Sequence, residues 1–178
     1  MALTVEDGTG LANADAYISI ADAETYFANF GRVTTTWNAL DTAAKESKVR
    51  SATQHLDRYY GGGFSGFRAD RDQSLEWPRR GAVDDNGWTI DSDAVPVVVQ
   101  RAMAELALRA AASELLPDPA SSSIGVTRTM DKVGELETER WYSAPIGSGD
   151  TDPVYRIVEE LLATVSQGGS ATVALERA

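Results

Sequence analysis

His55 is the only histidine in the chain and there is no cysteine, so neither a zinc site of the familiar kinds nor a Ser-His-acid triad is to be expected. Gly61, Gly63 and Gly66 satisfy G-x-G-x-x-G. The dinucleotide fingerprint, however, needs a strand before it and a helix after it, because the pyrophosphate rests on the helix N-terminus. Here a helical pattern precedes and a loop pattern follows, so the glycines read as helix termination. Asp84, Asp85, Asp91 and Asp93 offer hard oxygen ligands suited to calcium, but the EF-hand ligand order is missing. Turn formation at Asn86-Gly87 accounts for most of that run. Carboxylate-only hydrolysis is the remaining enzymatic chemistry, and no pair of carboxylates nominates itself. The expectation is a non-enzymatic protein with no cofactor and no bound metal.

One local cluster mixes bases with aromatics: Phe64, Phe67, Arg68, Arg71, Trp77, Arg79 and Arg80. Stacking and phosphate contact can both be built from such residues, which is the chemistry of single-strand binding. Asp70, Asp72 and Glu76 offset much of its charge. The preferred assignment is therefore plainer: Trp77 and Phe67 pin the loop onto a core while the arginines make salt bridges or a protein interface.

Composition narrows the classes further. A length of 178 residues suits one domain with a substantial core, and the absence of cysteine fits a reducing compartment. A formal net charge of −11 argues against a protein whose main task is gripping phosphates. Only three of the sixteen basic residues are lysine, and arginine suits planar bidentate protein contacts as much as phosphates. No apolar run reaches the roughly 18 residues of a membrane span, and no signal-peptide pattern is evident. A soluble protein, made without export by that route and without a membrane partner, is expected.

The elements that would carry these residues read as a mainly α fold: a small bundle of about four helices with one β-hairpin and long extended loops and arms. Residues 1–18 read as an extended arm with Leu3 and Val5 as anchors. Ser19, with Asp22 three positions on, caps a first helix in which Ile20, Ala23, Phe27 and Phe30 share a face, and Gly31 ends it. Asp41 caps a second helix, with Ala44, Val49, Ala52, Leu56 and Tyr59 on one face, to about Tyr60. Residues 61–93 hold seven Gly or Pro and read as a long functional or partner-ordered loop.

Asp93 is the expected cap of a third helix, with Pro96 in its first turn. Residues 97–116 are the most apolar stretch and predict a central buried helix, with Glu105 and Arg109 as a surface pair that serves solubility. Pro117 and Pro119 end it, and Ser121 to Ser123 form a linker. Residues 126–142 alternate as a hairpin about Val133-Gly134, which by itself is marginal and should lean on the helices or another subunit. Asp152-Pro153 opens a last helix with Val154, Ile157, Val158, Leu161, Leu162 and Val165 on one face. A single helical domain over 1–166 is followed by a flexible tail, 167–178, in which Val173 and Leu175 are candidate anchors.

Set in order, these residues resemble one family. The arm Val5-Glu6-Asp7-Gly8-Thr9-Gly10 with Ala16-Tyr17-Ile18-Ser19, then Tyr26-Phe27, Leu56-Asp57 and Leu75-Glu76-Trp77-Pro78-Arg79 are similar to the head–tail connector (head-completion adaptor) proteins of tailed phages. Val95-Pro96, Glu105-Leu106-Ala107 and Lys132-Val133-Gly134-x-Leu136 complete the pattern over about residues 3–165. Members are also labelled DnaT-like single-stranded DNA-binding proteins, a label read here as inherited from weak similarity.

The resemblance implies a structural virion protein of the neck region, assembled in the host cytoplasm. It implies a twelve-membered ring beneath the portal protein that extends the DNA channel and docks a downstream neck or tail protein. Double-stranded DNA would pass without specific binding. The arm, the 61–93 loop with Trp88, the hairpin with Val133 and the tail would reach neighbours and gain order only there. The competing reading is a replication or recombination protein that binds single-stranded DNA.

Overall fold

The computed structural model describes residues 2–115, 126–133, 136–143 and 155–166. Five α-helices and two short antiparallel ladders appear in the order α1 (Ile20–Asn29), α2 (Thr35–Asn38), α3 (Thr42–Tyr60), β1 (Phe67–Arg68), β2 (Arg79–Arg80), α4 (Val97–Ala112), β3 (Val126–Val133), β4 (Leu136–Ser143) and α5 (Arg156–Ala163). The chain divides into two compact units, one of residues 1–115 with 155–178, the other of 116–154. The mainly α class with a hairpin is what the sequence predicts.

In the helical unit, α4 is the centre. Val99, Ala102, Met103, Leu106 and Ala107 are fully buried along it, and α1, α2, α3 and α5 pack around it. Small alanines let the neighbours approach while Met103 and Leu106 fill the space between them, so much of the core's apolar burial is concentrated on this helix. Capping follows the sequence at two helices. The Ser19 hydroxyl accepts from Asp22 N–H at 3.1 Å and donates to the Asp22 carboxylate at 2.6 Å. Asp41 accepts from Ala44 N–H at 2.7 Å.

Four expectations are corrected. Pro96, not Asp93, stands at the α4 cap, with no side-chain hydrogen bond; its ring fixes φ and there is no N–H to satisfy. The last helix begins at Arg156 rather than at Pro153. A short helix, α2, falls where no element is expected and buries Trp37 completely. Glu105 is no surface residue: only 2 % exposed, its carboxylate meets Arg32 Nε at 2.6 Å, Arg109 Nη1 at 2.7 Å and the Tyr26 hydroxyl at 2.8 Å. It ties α1 and the turn after it to α4. Burial raises the Tyr26 phenol above its ordinary pKa, and Glu105 adds to that while Arg32 opposes it.

The amino-terminal arm is not extended. Val5 bridges to Ala16 in parallel, Ala14, Ala16, Tyr17 and Ile18 are buried, and the buried Glu6 carboxylate accepts from the N–H groups of Gly8, Gly10 and Leu11 at 2.8–3.0 Å. A carboxylate holding three backbone donors closes this segment into a turn on its own core, so Leu3 and Val5 are half-buried within the chain. In the other unit, β3 and β4 pair in the register Val126↔Ser143 to Val133↔Leu136, the predicted hairpin. The side chain of Val133, the prolines 117 and 119, Ser121 to Ser123, Asp152-Pro153 and the tail residues Val173 and Leu175 lie outside the described residues.

Candidate functional site

The segment read as a long loop is built, not loose. After α3, Gly61–Gly63 form a 3-10 turn, and the chain then runs out through β1 and back through β2 with Phe67 opposite Arg80 and Arg68 opposite Arg79. The glycine pattern is explained here without a nucleotide. Gly66 has φ +72°, and a Cβ on it would lie 2.6 Å from both Ala82 N and Arg80 O, so only glycine brings the two strands this close.

Inside this hairpin, polar groups do the fastening. Gln73, buried, donates to the carbonyls of Leu75 at 2.7 Å and Pro78 at 3.1 Å, and accepts from Asp70 N–H at 2.8 Å. Arg79, 7 % exposed, donates to the carbonyls of Ser65 and Gly66, both at 2.8 Å, and to the Glu76 carboxylate at 2.8 Å. Phe64 and Trp77 are buried with ring centroids 5.6 Å apart, and Arg79 lies over the Phe64 ring. The Trp77–Pro78 peptide is cis.

The same hairpin is anchored to α3 and the amino-terminal segment. The Tyr17 hydroxyl donates to Asp57 at 2.5 Å and accepts from the N–H groups of Glu76 at 2.9 Å and Trp77 at 3.1 Å, while Asp57 also accepts from Glu76 N–H at 3.2 Å. Burial pushes the Asp57 carboxyl up to about 6, against the opposing pull of the Tyr17 and Glu76 hydrogen bonds. Burial likewise holds the Tyr17 phenol well above its ordinary value, and the Asp57 charge adds to it.

The cluster of bases and aromatics therefore separates into two sets. Phe64, Trp77 and Arg79 are interior. Phe67 is 78 % exposed, and Arg68, Arg71 and Arg80 are exposed beside it in the same hairpin. Side chains directly opposite in an antiparallel ladder share a face, which puts the Phe67 ring and the Arg80 guanidinium side by side in solvent. Arg68 donates to the Gln73 carbonyl. Arg71 and Arg80 make no hydrogen bond or ion pair to another described residue. Phe67 thus does not pin the loop as expected, whereas Trp77 does.

Trp88, 75 % exposed, stands at the edge of a second turn in which the Asp84 carboxylate accepts from Asn86 N–H at 3.0 Å and Trp88 N–H at 2.8 Å. That carboxylate is occupied by its own backbone. His55 is buried and stacks on Tyr59 at 4.6 Å, with Tyr155 edge-on at 5.6 Å, a packing role. The residues missed from sequence are Tyr17, Asp57 and Gln73. Tyr17 carries a signal, a polar group between Ala16 and Ile18, and Asp57 a weaker one after Leu56; Gln73, between Asp72 and Ser74, carries none.

Compared with known families, the chain matches along residues 1–178 the family described as "Putative DnaT-like ssDNA binding protein". No curated protein and no solved structure matches it. The family match overturns the reading as a virion head–tail connector, with the neck and portal roles attached to it. The physical reason is visible in the structure: Trp77, Pro78, Arg79, Val95 and Leu106, which carried that resemblance, are buried. Interior residues specify a fold, whereas a function is written on the surface. The single-strand label set aside on sequence grounds is the one that stands, and by a match over its whole length the chain belongs to the DnaT-like single-stranded DNA-binding protein family.

Proposed function

We propose that the protein binds single-stranded DNA without catalysing a reaction on it, through the outward face of the β1–β2 hairpin. Phe67 is the stacking surface for a base and Arg80, on the same face, contacts the adjoining phosphate, while Arg68, turned to the other face opposite Arg79, and Arg71 in the connecting loop contact phosphates as the strand passes round the hairpin. The observation that carries this is the exposed Phe67 ring set directly across from Arg80, in a chain whose family is named for this ligand. An aromatic ring held open to water on a fastened hairpin is what sequence-tolerant base stacking requires, at about 1–3 kcal/mol per base.

The net charge of −11 shapes the mode of binding. Long-range attraction is absent, so association is slow compared with basic single-strand binders, and affinity rests on stacking and short-range contacts. Three phosphates neutralised at the hairpin, with release of their counterions, give a slope of log K against log salt of about −2 for a single strand that covers the hairpin alone. Anisotropy of a labelled oligo-dT, titrated at several salt concentrations, tests this. Binding with that shallow slope is expected; no binding at low salt overturns the proposal.

A further inference from the structure

We infer that the groove between α3 and the loop joining β1 to β2 is the continuation of the single-strand site, holding the sugar-phosphate backbone of the nucleotides next to the one stacked on Phe67. The inference rests on the proposed function and adds a location, a direction and a length to it. The groove has a volume of about 720 Å³, with Ser47, Arg50, Gln54, Asp57 and Arg58 on the helix side and Ser74 on the other.

Three observations join it to the hairpin. Arg68, next to Phe67, donates to the carbonyl of Gln73, the residue before the groove-lining Ser74. The Arg68 charge is also close enough to favour ionisation of Asp57, which lines the groove. The Tyr17–Asp57–Glu76 hydrogen bonds then fix the loop wall to the helix wall, so the groove is held open as a shape and not formed by the ligand.

Its chemistry suits a phosphodiester. Arg50, Gln54 and Arg58 fall at i, i+4 and i+8 and make one line along α3. Arg50 is engaged by Asp15 at 2.6 Å across the groove. Gln54 and Arg58, both exposed, make no hydrogen bond or ion pair to another described residue. Guanidinium and amide donors are the groups that contact phosphate and sugar without reading sequence. The groove lining carries Arg50 and Arg58 against Asp15 and Asp57, and Arg50 is also paired with Glu46 at 3.7 Å, so Arg58 is the cation that the groove offers to a phosphate. From Arg50 to Arg58 the helix rises about 12 Å, the length of three to four nucleotides of a stacked strand.

Affinities of the native chain, Gln54→Ala, Arg58→Ala and Phe67→Ala for dT2 and dT8 test the inference. Native protein is expected to bind dT8 at least tenfold more tightly than dT2. Arg58→Ala is expected to lose about tenfold on dT8, with a salt slope shallower by about 0.7, and to match the native chain on dT2. Gln54→Ala should lose a smaller factor with the slope unchanged, since it removes no charge. Phe67→Ala should lose affinity for both oligonucleotides. If Arg58→Ala and Gln54→Ala bind dT8 as the native chain does while Phe67→Ala is impaired, the groove is not the track and the hairpin reading survives. If the native chain binds neither oligonucleotide, both readings fall.

Discussion

Arg79 and Arg80 are neighbours in sequence and opposite in fate, and Phe64 and Phe67, three residues apart, differ in the same way. The first of each pair is inside the protein, where Arg79 donates to the carbonyls of Phe64, Ser65, Gly66 and Glu76 and to the Glu76 carboxylate beneath the hairpin. The second stands in water on the other side. For the arginines the two-residue ladder makes the difference, because successive side chains point to opposite faces; Phe64 lies before the ladder and is held inside against Trp77. A cluster of bases and aromatics thus contains two functions, a fastening and a contact surface, separated by the strand alternation and not by residue type.

The inner set should govern stability. Trp77→Ala removes a fully buried ring and is expected to cost about 3–5 kcal/mol, read as a lower urea midpoint. Arg79→Ala leaves buried carbonyls without their donor and an unpaired Glu76, for a loss of about 2–3 kcal/mol. Unchanged midpoints in both variants would erase the division between the two faces.

Asp57 sharpens the same contrast through pH. Its carboxyl titrates at about 6 in the folded chain, against an ordinary value of 3.8, so between those values the folded state holds more protons than the unfolded one. Its contribution to stability is therefore greatest below pH 3.8 and is lost as pH rises through 6. The whole change, from well below 3.8 to well above 6, is about 3 kcal/mol. Glu24, held below its ordinary value by Lys45 and Trp37, acts in the opposite sense, so the comparison must be with Asp57→Asn. From pH 4 to 7 the native chain should lose about 2 kcal/mol relative to that variant, and parallel curves would contradict the burial of Asp57.

How much of this was legible in the sequence depends on the range over which the signal acts. Local signals hold at Ser19 and Asp41, which cap their helices, and fail at Asp93, where Pro96 takes the cap; the apolar run of residues 97–116 marks α4 as central, although the helix ends at Ala112. The closing of residues 2–18 onto the core was not legible, because the Glu6 carboxylate works by gathering three N–H groups and leaves no periodic trace. The β1–β2 ladder is too short to alternate visibly, so residues 61–93 looked like a loop. The two fates of Phe64 and Phe67 depend on partners 10 to 15 residues away, Trp77 and Arg80, and on contacts that spacing does not encode. Glu105 reads as half of a surface pair because Arg109 is its helical neighbour, while Tyr26 reaches it from α1 and Arg32 from the turn that follows.

The outer set should govern binding and leave stability alone. Phe67→Ala removes a ring that is mostly in solvent, so its midpoint should stay within about 0.5 kcal/mol of the native value. Affinity for oligo-dT should fall by about 1–3 kcal/mol, roughly five- to 150-fold. Equal affinity would exclude Phe67 as the platform, and a large stability loss would mean that it packs in solution.

Arg80 gives the smallest effect and the most specific one. It has no ion pair to break among the described residues, so Arg80→Ala should fold with the native midpoint, in contrast to Arg79→Ala one residue earlier. Its guanidinium faces water beside Phe67, where it can neutralise one phosphate and release one counterion. Losing it should lower affinity a fewfold at low salt and make the slope of log K against log salt shallower by about 0.7, so that native and variant affinities converge as salt rises. A parallel displacement of the two lines would mean that Arg80 supports the ring through packing and touches no phosphate. The pair Arg79 and Arg80 would then differ in burial alone, and the charge partner of the stacked nucleotide would have to be Arg68 or Arg71.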